Sequence, residues 1–116
     1  MRFDVKWSVS FFEEASLAEG YHKSTIKMSS SYLRGFLSFL ERETVDDIRE
    51  VGRELIISYL NEVSNIYGKR SLRTLVVLLR RFFTLLVRHS KILVFPMENL
   101  RLRSHDGGPS KEFLSI

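Results

Sequence analysis

Eight residues of this chain repeat one kind of chemistry at two places. Lys23, Thr25, Lys27 and Arg34 are matched 46 residues later by Lys69, Ser71, Arg73 and Arg80. Hydroxyls and cations at the start of a helix suit phosphate groups, because unpaired backbone N–H groups and the helix dipole point the same way. Lysine and arginine side chains then displace counterions from a polyanion. The apolar residues between the cations repeat in phase as well: Ile26, Leu33, Phe36, Leu37 and Leu40 against Leu72, Leu79, Phe82, Phe83 and Leu86. Packing accounts for that apolar half and leaves the in-phase cations unexplained. Two copies are too few for a solenoid, but they imply two helices of one design.

Other chemistry is sparse. Cysteine is absent, which excludes disulfides and thiolate metal sites and fits a reducing compartment. His22, His89 and His105 are too dispersed for a metal site, and no glycine-rich phosphate loop is present. Asp46-Asp47 reads as a helix-start or loop pair, and Tyr21, Tyr32, Tyr59 and Tyr67 read as core or rim packing. No catalytic residue, metal, cofactor or small-molecule substrate is expected.

Charge is distributed unevenly. Residues 1–66 carry eight Lys/Arg against eleven Asp/Glu, whereas residues 67–116 carry ten against three. A surface facing a polyanion and a helix merely solvated by arginines both fit that asymmetry. The 116 residues suffice for one domain with a core of its own. The charged N-terminus is unlike a signal peptide, and no apolar run is long enough to span a membrane. A cytoplasmic location is expected.

Periodicity predicts four helices. Ser10-Phe-Phe-Glu13 has capping-box spacing and starts a first helix of about ten residues that stops near Gly20. The second helix runs from Ser24-Thr25 to about Arg42. Its outer face holds Lys27, Ser30, Ser31, Arg34 and Ser38 beside Gly35, small residues that suit close approach to something. The third runs from about Arg53 to Ile66 and buries Leu55, Ile56, Tyr59, Leu60 and Val63. The fourth, residues 68–88, has Ser71 as its hydroxyl cap. It buries Leu72, Leu75, Val76, Leu79, Phe82, Phe83 and Leu86, and carries Arg73, Arg80 and Thr84 opposite, with Arg81 and Arg88 beside them. No acid within that helix neutralises the arginines. Pro96 ends the bundle, and Ser104-His-Asp-Gly-Gly-Pro-Ser110 reads as a linker.

This order of motifs resembles the N-terminal core-binding domain of tyrosine recombinases, the SAM-like domain of phage-type integrases. The segments that carry the resemblance are Phe11-Phe12 through Gly20; Ser24-Thr-Ile-Lys with Leu33-Arg-Gly-Phe-Leu-Ser-Phe-Leu40; Leu55-Ile-Ile-Ser-Tyr-Leu60; Leu79-Arg-Arg-Phe-Phe-Thr-Leu-Leu86; and Phe95-Pro-Met-Glu-Asn. They cover residues 8–103, each weakly specific alone and more so in this order. His22, Ser29, Gly52 and Phe95 depart from the family pattern; the first shifts capping to Ser24.

The resemblance implies an all-α, four-helix orthogonal bundle over residues 1–103, with a short C-terminal turn. Residues 104–116 would be a flexible tail linking to an absent catalytic domain. It implies a non-catalytic module that clamps double-stranded DNA at a core recombination site through helices two and four. The DNA-binding residues would be Lys23, Ser24, Thr25, Lys27, Arg34, Lys69, Arg70, Ser71, Arg73 and Arg80. Neighbouring recombinase protomers would be further partners, with no membrane involved. From a different class, a helical protein–protein interaction module with a basic docking face would also use the charge asymmetry.

Overall fold

The computed structural model describes residues 4–92, 96–97, 100–102 and 113–115. Within them the architecture is an all-α bundle of four helices, α1 (Val5–Ala18), α2 (Lys23–Arg42), α3 (Arg53–Val63) and α4 (Lys69–Arg88), with a single 3-10 turn at Ile48–Glu50. Two three-residue strands, β1 (Leu100–Leu102) and β2 (Phe113–Ser115), pair antiparallel, and β2 lies against α3. The stretch expected to be a free tail is therefore paired at residues 113–115. The remainder of the expected linker, and Phe95, lie outside the described residues.

Helix starts differ from those the motifs predict. Asp4 caps α1 by accepting from the Trp7 N–H at 3.1 Å, so the helix begins one and a half turns before Ser10. Ser10 lies in mid-helix, and its capping-box spacing to Glu13 is coincidental. His22, not Ser24, is the cap of α2, with Nδ1 accepting from the Ser24 N–H at 3.2 Å. At the start of α4 the cap is Gly68, which has no side chain to offer, and Ser71 makes no capping bond. α3 ends at Val63, three residues short of Ile66, in a turn where the Ser64 hydroxyl donates to the Asn61 carbonyl.

Three of the four helices stop in the same way. After α1, the Gly20 N–H donates to the Leu17 carbonyl and the Tyr21 N–H to that of Ser16, a Schellman motif with Gly20 at φ 90°. α2 repeats the pattern with Thr44 at φ 56°, and α4 with Ser90 at φ 61°. Neither residue is the glycine that reads as a stop in a sequence, and a β-branched threonine there is strained.

One thread of aromatic rings joins the four helices. Phe12 of α1 meets Phe82 of α4 (6.3 Å between centroids), Phe82 meets Phe83 (5.2 Å), Phe83 meets Phe36 of α2 (6.0 Å), and Phe36 meets Tyr59 of α3 (5.3 Å). All five rings are buried, and removing any one phenylalanine would cost about 3–5 kcal/mol. Beyond the bundle, Ile92 and Met97 are buried as part of the same core.

Tyr59 lies within reach of Gly35: a Cβ at Gly35 would come within 2.8 Å of the Tyr59 hydroxyl oxygen. The ring cannot swing away, because Phe36 and Phe39 pack on it. Gly35→Ala should therefore forfeit the roughly 1 kcal/mol that alanine usually adds to a helix interior and lower stability in urea unfolding. In a Tyr59→Phe background, where the crowding oxygen is gone, the same change should raise stability by about that amount.

Burial pushes the Tyr59 phenol up to about 12. An acid whose folded pKa is raised binds its proton longer folded than unfolded, so its contribution to stability is full below pH 10 and lost between 10 and 12. Alkaline unfolding should be shallower in Tyr59→Phe over that range.

Candidate nucleic-acid interface

α4 must bury Leu72, Leu75, Val76, Leu78, Leu79, Phe82, Phe83, Leu85 and Leu86, which occupy more than half of its circumference. What remains outward is a stripe of Lys69, Arg70, Arg73, Val77, Thr84 and Arg88, edged by half-buried Ser71, Thr74, Arg80, Arg81 and Val87. The basic flank read from the sequence is present. Its arginines divide into two groups with different work.

Arg81 and Arg88 are tied to α1. Arg81 Nη2 donates to Glu19 Oε1 at 2.9 Å and to the buried Ser16 Oγ at 2.7 Å, and Arg88 Nη1 donates to Glu19 Oε2 at 3.1 Å. The Arg81 guanidinium lies 3.9 Å from the Tyr21 ring centroid and 4.9 Å from that of Phe12. Its side chain is only 19% exposed. No acid lies within α4, as expected; Glu19, the C-cap of α1, pairs with both guanidiniums and offsets one of their two charges. Arg80 is half-buried and has a partner of its own within the fold.

Lys69, Arg70 and Arg73 are exposed and make no ion pair among the described residues. The same holds on α2 for Lys23, Lys27 and Arg34. Thr25 is exposed, Ser71 half-buried, and the Ser24 hydroxyl is 2.9 Å from the His22 imidazole at the cap. Six of the ten residues singled out thus carry exposed positive charge that the described fold leaves unneutralised.

The structure brings Lys23, Lys27 and Arg34 together. They line one groove of about 390 Å³ between α1 and α2, with Glu13, Leu17, Ile26 and Ser30. No residue of α4 lines it. The two cationic sets lie on helices that meet through Phe36 and Phe83.

The small residues on α2 have a different explanation from the one expected. Ser29 and Ser30 are buried, and the Ser30 hydroxyl donates to Glu13 Oε2 at 2.8 Å. Gly35 makes room for Tyr59. The close approach that Ser30 and Gly35 permit is to Glu13 of α1 and Tyr59 of α3, and Ser31, Gly35 and Ser38 remain exposed.

Elsewhere, Asp47 caps the 3-10 turn, accepting from the Arg49 N–H at 2.9 Å. The Arg49 guanidinium, then that N–H, holds its carboxyl well below the usual carboxylate range. Tyr32 and Tyr67 pack edge to face. Among the described residues no group of three His, Asp or Glu is placed to hold a metal ion, and no helix is long and apolar enough to cross a membrane. Compared with family models, curated proteins and solved structures, the chain finds no match.

The two classes of arginine should respond differently to truncation. Arg81→Ala should lower stability by about 2 kcal/mol, because it removes charge-assisted bonds and the contacts over two rings. Arg73→Ala should stay within about 0.5 kcal/mol of the parent. Urea unfolding of the two variants measures both.

Proposed function

We propose that this chain is a duplex-DNA-binding domain of the core-binding kind found in tyrosine recombinases, without an active site of its own. The observation that carries the reading is the sorting of charge. Glu19 pairs with both Arg81 and Arg88, whereas Lys23, Lys27, Arg34, Lys69, Arg70 and Arg73 are exposed and make no ion pair among the described residues, on two helices of like design. Unpaired surface cations in one polarity favour a polyanion. The ordered motifs of all four helices, each found here as a helix or its turn, favour the recombinase form of that reading. Lys69, Arg70 and Arg73 would hold phosphates from α4, and Lys23, Lys27 and Arg34 from α2. Neighbouring protomers would adjoin in a full assembly.

The α1–α2 groove favours a second reading. Its three cations flank Leu17 and Ile26, an arrangement that would also seat an acidic peptide with an apolar anchor.

Fluorescence anisotropy on a duplex across a salt series separates the two. For DNA, with about five phosphate contacts, log K should fall against log salt with a slope near −4 to −5. Arg70→Glu with Arg73→Glu, and separately Lys27→Glu with Arg34→Glu, should each weaken binding and flatten that slope by about 2, with melting temperatures nearly unchanged. An effect of the α4 pair alone would confine DNA to α4 and leave the groove to a protein. Flat anisotropy at low salt would overturn the DNA reading.

A further inference from the structure

The groove between α1 and α2 has two unlike walls. On α2, Lys23, Lys27 and Arg34 lie along one flank over about 16 Å, one turn and then two turns apart. α1 contributes no cation: its lining residues are Glu13 and Leu17, one turn apart. Leu17 is 53% exposed, one of five large apolar side chains left open to solvent among the described residues. Glu13 is half-buried and accepts from the Ser30 hydroxyl at 2.8 Å.

A duplex suits this place poorly, because phosphates would meet the Glu13 charge and gain nothing from Leu17. A chain segment with carboxylates along one edge and apolar residues along the other meets both walls. The segment must also be helical. Backbone groups of the walls are bonded within their own helices, so an extended strand finds no edge to pair with. A helix carries its backbone bonds with it.

We infer that the α1–α2 groove is a docking site for an acidic amphipathic helix of a partner protein. Its carboxylates lie on Lys23, Lys27 and Arg34, and an apolar residue packs on Leu17. This rests on the second reading above, gives it a defined partner, and holds or fails independently of the DNA reading.

The probe is a fluorescein-labelled peptide of about 18 residues, with leucine at every third or fourth place and glutamate along one flank. Anisotropy with the full chain should show saturable binding that weakens about tenfold when the leucines become alanine. Leu17→Ser should weaken it about fivefold, with a melting temperature close to the parent's because the side chain is exposed. Lys27→Glu with Arg34→Glu should abolish it. Glu13→Gln should tighten it about threefold, since a repelling charge goes while the amide oxygen still accepts from Ser30. Arg70→Glu with Arg73→Glu should leave it unchanged, although that pair weakens duplex binding. No binding of the peptide, or equal affinity for its alanine version, would overturn the site. Full affinity in Leu17→Ser, or a loss in the α4 pair, would place the peptide elsewhere and overturn it too. Dimerisation of the chain that Lys27→Glu with Arg34→Glu abolishes would make a second copy the occupant, against the partner named.

Discussion

The constraint on which everything else depends is the burial of α4. Nine of its residues face inward, so only one narrow strip of the helix can carry charge. That demand explains both the width of its apolar face and the crowding of its polar residues onto the rest. It also puts α4 at the junction of the aromatic thread, with Phe82 turned to α1 and Phe83 to α2.

A strip so crowded cannot be uniform. Its edge toward α1 lies close enough to the core that a cation there loses water, and Arg81 is held by rings, Ser16 and Glu19 together. A half-desolvated guanidinium is tolerable only with such partners. Toward the centre, Arg73 is exposed and makes no ion pair among the described residues.

The groove between α1 and α2 follows from the opposite circumstance. α2 can approach α1 closely because Ser29 and Ser30 are small, and Ser30 satisfies Glu13 across the contact. Lys23, Lys27 and Arg34, on the same flank of α2, are gathered over that junction. Serines and a glycine that look permissive toward a ligand are spent on helix packing, while the cations beside them are not.

The periodic apolar pattern by itself determined that there are four helices, which faces they bury and where the chain's positive charge concentrates. Those follow from helical geometry and local composition, which one strand of sequence records. Helix ends were less legible. Asp4 and Gly68 cap helices whose caps were expected at Ser10 and Ser71, His22 caps α2 where Ser24 was expected to, and Thr44 and Ser90 adopt left-handed backbone without being glycine. Only the tertiary structure decided which arginines are paired, because Glu19 is 62 residues from Arg81 and 69 from Arg88 in sequence. It likewise decided that Ser30 is buried against Glu13 and that Gly35, though exposed, lies against the Tyr59 hydroxyl. Contacts between distant segments depend on how the helices cross, and that is set by packing of the whole core, which no local spacing encodes.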